Sequence, residues 1–222
     1  MHDKKSYQVI IFDLDDTIYP RHSGLMQEVG RRIQEWLINQ FGLTREEAIA
    51  MQHDYYVRYG TTLAGLLAEH SVDARAYLSY VHNVPVEKFL GEDRALAAML
   101  KRIPLRKVIY TNGTSEYARR VLRALGVMDC FEQVVGIEEV GLCNKLHRNA
   151  YERMLAQLGV PASACIMVED SARNLKPASE LGMTTVLIDV EPDEGVDFVI
   201  HNLMELEEIV LKLLECGTAD AG

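Results

Sequence analysis

The chain has 222 residues, 48% hydrophobic and 25% charged, with a formal net charge of −10. That length builds one large domain or one domain with an insert, and the composition is ordinary for a globular protein. The acidic balance argues against a protein that coats nucleic acid, and no apolar run is long enough to span a bilayer.

The N-terminal segment MHDKKSYQVI lacks a signal-peptide apolar region and leads at once into a strand. That strand, within QVIIFD (8–13), runs into Asp13-Leu14-Asp15-Asp16-Thr17. Carboxylates crowded at the end of a buried strand repel one another unless a positive group sits among them. From Ile18 to Arg106 the pattern is helical. Leu25, Val29, Ile33, Trp36 and Leu37 form one stripe, and TREE (44–47) reads as a capping box with Thr44 as cap and Glu47 reaching back. The following helix runs through Tyr59 to Gly60, and LAGLLAEH and DARAYLSYVHN give two shorter ones. A compact domain does not carry so long a structureless loop. Residues 18–104 are therefore predicted to form an all-helical insert domain, with hinges near Thr17–Arg21 and Arg102–Arg106, sitting on an α/β core of 1–17 and 105–222.

Apolar runs then alternate with amphipathic helices. RKVIYT (106–111) precedes a helix over 115–125 stopped by Gly126, and QVVGI (133–137) precedes one over 146–158 stopped by Gly159. ACIMV (164–168), TTVLI (184–188) and DFVI (197–200) complete the set. This alternation predicts a Rossmann-like parallel sheet covered on both faces. Cys130, Cys143, Cys165 and Cys216 form no CxxC pair and no zinc-ligand spacing, so reduced thiols in a cytoplasmic protein are expected.

Open parallel sheets bind ligands beyond the carboxyl ends of their strands. Here those ends supply Asp13, Asp15 and Asp16; then Thr111-Asn112-Gly113 before a helix; then Lys145; then Glu169-Asp170. Phosphoryl transfer through an aspartyl-phosphate needs such a set: a nucleophile, a divalent cation and donors to the phosphate oxygens. In this order the four segments resemble the motifs of the haloacid dehalogenase-like (HAD) phosphohydrolases, and the insert resembles the helical cap of that superfamily. FDLDDTIYP, YYVRYGTTLAGL (55–66), IPLRKVIYTN (103–112) and GVMDCFEQVVG (126–136) are similar to its pyrimidine 5′-nucleotidase branch.

The resemblance implies Asp13 as nucleophile and Asp15 as general acid, then general base. Dehalogenases of the superfamily lack that second aspartate, so Asp15 implies a phosphate ester. Asp16 receives no role, and Thr17 orients the turn. Thr111, Asn112 and Gly113 make a phosphate seat, and Lys145 is expected to bridge Asp13 and the phosphate. The superfamily usually has Lys-Pro there, whereas this chain has Lys145-Leu146-His147-Arg148, with His147 as a surface residue. Pro177 suits a helix's first turn, which puts the helix start near Leu175 or Lys176 and leaves Glu169 to Asn174 as a loop. Asp13, the Asp15 carbonyl, Asp170 and Glu169 then form an oxygen-only set suited to Mg²⁺, with Asn174 in support.

In the cap, Tyr55, Tyr56 and Tyr59 with Arg58 and His53 either stack a nucleobase or pack the cap itself. Tyr56 and Tyr59 are the candidate substrate contacts, with Gly60, Thr61 and Thr62 as alternative positions. The expected activity is Mg²⁺-dependent hydrolysis of pyrimidine nucleoside 5′-monophosphates. The alternatives are a HAD phosphatase or phosphomutase for a sugar phosphate, phosphoglycolate or pyridoxal phosphate, or a catalytically silent binding protein. The expected partner in the enzymatic cases is a small phosphorylated metabolite.

Overall fold

A computed structural model describes residues 6–188 and 195–218; Met1 to Lys5 of the N-terminal segment and the side chain of Cys216 lie outside the described residues. The apolar runs form strands β1 (Val9–Phe12), β2 (Arg106–Tyr110), β3 (Gln133–Val135), β4 (Cys165–Glu169), β5 (Thr184–Ile188) and β6 (Phe198–Ile200). They pair in parallel, in the order β3-β2-β1-β4-β5-β6. β1 lies between β2 and β4, with Val9 opposite both Arg106 and Cys165. All four residues of β1 are buried because side chains alternate between two covered faces.

Ile10 and Phe12 enter the cluster that includes α5 (Arg94–Arg102), α6 (Ser115–Ala124) and α9 (Leu206–Thr218). Val9 and Ile11 enter the opposite one, with α7 (Arg148–Leu158) and α8 (Ala172–Glu180). The product is a three-layer α/β fold. The chain runs outward from β1 through β2 to β3, then crosses to β4 on the other side of β1. Strand order therefore reverses between β1 and β4, where a crevice opens at the carboxyl ends. Among the described residues no helix is long and apolar enough to cross a membrane.

The insert is helical: α1 (Leu25–Phe41), α2 (Arg45–Tyr59), α3 (Thr62–Glu69) and α4 (Ala74–Val81). The capping box is present in full, with Thr44 and Glu47 satisfying each other's backbone N–H groups. Gly60 ends α2 in the left-handed region, at φ +85°. The packing boundary differs from the expected one at 104. Val84, Val86 and the α5 residues Leu96, Met99 and Leu100 belong to the sheet's cluster, as do Leu25 and Val29 at the start of α1. The separate cap cluster draws its buried members instead from Leu37 to Val81, joined by Ile137 from beyond β3. Arg120 on α6 marks the return to the core by donating to the carbonyls of His82 and Val84.

Helix α8 also departs from expectation. It starts at Ala172, because the Ser171 carbonyl already accepts from the N–H groups of Asn174 and Leu175. Pro177 therefore sits inside the helix, where its missing N–H leaves the Arg173 carbonyl without its usual helical donor.

Candidate active site

β1 delivers Asp13 to the crevice, where its backbone N–H donates to the Val168 carbonyl at 2.9 Å and its side chain is buried. The Lys145 ammonium, 0% exposed, donates to Asp13 Oδ1 and, at 2.8 Å, to Glu169 Oε2. Burial alone would depress this lysine, but the two carboxylates outweigh it and hold its pKa above the ordinary value. Burial pushes the Asp13 carboxyl up despite Lys145, and raises Glu169 well above its usual range, helped by the Asp13 charge. The lysine is thus the cation that the crowded aspartates at the end of β1 required.

Glu169 is the last residue of β4 and only 1% exposed, and it lines the same crevice while engaged with Lys145. Asp170 stands nearer the surface, and Arg21 donates to its Oδ2 at 2.8 Å. Ligand atoms of Asp13, Glu169 and Asp170 lie within 4.8 Å of one another. Asp16, in the left-handed region at φ 61°, leaves its Oδ1 buried without a hydrogen-bond partner. Hard oxygens grouped this way fit a divalent cation.

Asp15 accepts hydrogen bonds on Oδ1 from the phenols of Tyr19 and Tyr117. Burial and the Asp13 charge push its carboxyl up to about 7, against the lowering effect of the two phenols. These tyrosines were not singled out in the sequence. Tyr19, four residues beyond Asp15, was accessible as a local contact, whereas Tyr117 comes from α6 and left no local signal.

The expected phosphate seat is built from β2 and the start of α6. Thr111 is buried, and its Oγ1 accepts from the Gly113 N–H at 2.9 Å. Asn112 turns its Oδ1 to the Lys145 N–H at 3.0 Å. Gly136 passes close behind this turn. A Cβ there would lie 2.9 Å from the Gly113 carbonyl oxygen and closer still to the Ser115 nitrogen. Backbone atoms on both sides cannot yield, so Gly136→Ala should lower unfolding free energy by about 1–3 kcal/mol, read as a shift in the denaturant midpoint.

Asp13, Asp15, Thr111, Asn112, Gly113 and Asp170 all line one cavity of about 730 Å³ between the sheet and the cap. The roof includes apolar side chains such as Val29, Ile33 and Leu63, and Gly60, Thr61 and Thr62 line it as well. Tyr56 lines the cavity, its ring 5.4 Å from the Arg173 guanidinium carbon. Tyr59 does not line it. Its hydroxyl donates to Glu69 Oε1 at 2.6 Å and its ring packs edge-on against Tyr55, which places Tyr59 in the framework of the cap. His147 is the exposed N-cap residue of α7.

His82, at the end of α4, is a further cavity residue that the sequence did not reveal. It stacks on Tyr117 with ring centroids 4.7 Å apart. Burial and the nearby Arg120 depress its imidazole to about 4, so it presents a neutral ring.

Comparison with known proteins places this fold in a known family. Residues 7–182 match the family described as haloacid dehalogenase-like hydrolase. A glyceraldehyde 3-phosphate phosphatase of Methanocaldococcus jannaschii is 29% identical over 225 residues, spanning 92% of this chain and 97% of that protein. The crystal structure of a HAD phosphatase from Thermococcus onnurineus superposes with a TM-score of 0.59 at 22% identity, over 91% of this chain and 97% of the other. Magnesium-bound YfnB from Bacillus subtilis gives 0.63 at 17% identity, over 93% and 99%.

Proposed function

Since the chain belongs to the haloacid dehalogenase-like hydrolase family, we propose that it is a phosphomonoesterase working through a phosphorylated Asp13. The observation that carries this reading is the buried Lys145 ammonium between Asp13 and Glu169 at the switch point of the sheet, directly under the cavity. It holds Asp13 in place while the seat of Thr111 and Gly113 receives the phosphoryl oxygens. An Asp13 oxygen bonds to phosphorus as the ester bond breaks, and Asp15 gives its proton to the departing oxygen. Water then bonds to phosphorus as the Asp13–phosphorus bond breaks, and the Asp15 carboxylate takes up the proton released. Asp13 and Asp170, with Glu169 and the Asp15 carbonyl, would hold Mg²⁺. The ion would offset charge on the phosphoryl group and its carboxylate neighbours.

The cavity argues for a substrate whose leaving group carries no charge. Among its described lining residues the only lysine or arginine side chains are Arg21 and Arg173. Arg21 is engaged by Asp170, and Arg173 donates to the Val57 carbonyl at 3.0 Å. A carboxylate or second phosphate in the leaving group would therefore find no lysine or arginine among these residues that is not already engaged. A pyrimidine nucleoside 5′-monophosphate satisfies this, with Tyr56 offering a ring and Gln52, His53, Thr61 and Thr62 offering hydrogen bonds. A triose phosphate is the second reading, favoured by the activity in the name of the Methanocaldococcus relative. Cys130, Cys143 and Cys165 are free of disulfides, as a cytoplasmic location would have them.

Inorganic phosphate release from UMP, CMP, glyceraldehyde 3-phosphate and phosphoglycolate, with and without chelator, tests the reading. Turnover is expected to disappear with chelator and return with Mg²⁺. The kcat/KM for phosphoglycolate should trail the best uncharged-leaving-group ester by tenfold or more, which is about 1.4 kcal/mol at the lower bound. No turnover on any ester rejects the phosphatase, and a preference for phosphoglycolate rejects the substrate class.

A further inference from the structure

Lys145 sits in the irregular stretch between β3 and α7, which straddles core and cap: Val140 joins the sheet's cluster, whereas residues on either side of it reach the cap. Ile137, 1% exposed, is a member of the cap's own apolar cluster, with Leu142 packed against it. Leu142 is held in the left-handed region at φ 60°, a conformation a leucine keeps only where its surroundings fix it. Asn144, 2% exposed, donates from Nδ2 to the Tyr59 carbonyl at 2.7 Å, capping the C-terminal end of α2. Its Oδ1 accepts from the Leu146 N–H at 3.1 Å, and the Leu146 side chain lies against Gly60. A Cβ on Gly60 would fall 2.7 Å from Leu146 Cγ. The residues flanking Lys145 on each side are thus seated on one turn of the cap.

We propose that Asn144 and Leu146 are positioning residues that latch the Lys145 segment to the end of α2, so that the docked cap presents the lysine to Asp13. This deepens the phosphatase reading and rests on it for its catalytic consequence. The latch supplies from outside the stiffness that the Lys-Leu sequence lacks. It also links cap docking over the substrate to completion of the charge constellation below it. When the α2 terminus lifts, Asn144 loses its acceptor and Leu146 loses its seat, leaving the Asn112 side chain to hold the Lys145 backbone N–H.

The test uses Gly60→Ala, made from the cap side, and Asn144→Ala, made from the core side, each with a thermal unfolding curve to establish folding. Amide exchange in segment 143–147 should rise by about tenfold or more in Gly60→Ala, although the substitution is remote in sequence. In both variants kcat should fall by ~10- to 100-fold, to a similar extent for small and large esters, with KM changed far less. Since both remove one latch, the double variant should lose little beyond the worse single. Unchanged exchange in 143–147, a loss confined to KM, or additive losses would each overturn the latch. If one variant fails to fold, the other carries the same exchange and kcat criteria. If the wild type hydrolyses no ester, the phosphatase reading fails while the exchange measurement still decides whether the latch exists.

Discussion

Asp13→Asn leaves turnover at background on every ester the wild type hydrolyses, a loss on the order of 10⁴-fold or more. The side chain keeps its volume, and its amide oxygen can still accept from Lys145, so the fold should persist. The backbone bond from residue 13 to Val168 is untouched, and Glu169 remains to partner the ammonium. The missing element is an anionic oxygen able to form a bond to phosphorus. Binding of a non-hydrolysable phosphate analogue should weaken far less than kcat falls, because Thr111, Gly113 and the roof are unchanged. Phosphate release followed over hours, with circular dichroism to verify folding, gives the answer. Residual turnover above about 1% of wild type would place the nucleophile elsewhere.

Much of this site is legible in the chain because its chemistry sits where strands end. A central strand buried on both faces must be apolar, so Val9 to Phe12 stands out, and the carboxylates after it break the pattern abruptly. The ends of β2 and β4 are marked by polar residues too, Thr111-Asn112 after the one and Glu169-Asp170 at the other. The capping box and the stop at Gly60 follow from local backbone chemistry and are found as expected. Features that depend on contacts between distant segments were hidden. Helix α5 is amphipathic like those of the cap, and only its packing against the sheet assigns it to the core. Pro177 suggested a helix start, but the choice was decided by the Ser171 carbonyl, which local proline rules do not address. Tyr56 and Tyr59 were separable in principle. Tyr55 and Tyr59 share a face at i,i+4 spacing, and Glu69 accepts from both hydroxyls, leaving Tyr56 to turn toward the cavity. The sequence carried Lys145, but nothing local showed that its flanks rest on the cap.

Lys145→Met should carry the largest stability effect, about 3–5 kcal/mol at neutral pH in chelated buffer. Methionine can fill much of the lysine's space beside the Tyr110 ring, which the ammonium approaches to 5.2 Å from the centroid, so cavity formation is a minor part. The loss comes from Asp13 and Glu169, left as buried carboxylates without their shared cation. Both carboxyls are already raised in the folded protein, chiefly by burial, and Lys145 is the main influence holding them down. Its removal raises them further. Groups with raised folded pKa values retain protons that the unfolded chain releases, so they cost no stability below the unfolded values, near 3.8 and 4.5. Stability then falls as pH climbs from there through the raised folded values. Lys145→Met should accordingly lie closest to wild type near pH 4 and diverge as pH rises toward neutrality. Urea midpoints measured across that range provide the test. A gap independent of pH would mean that the lysine contributes packing rather than charge compensation. A gap that widens with pH and narrows on adding Mg²⁺ would identify the acidic cluster as the source of the strain and the lysine as its resident counter-charge.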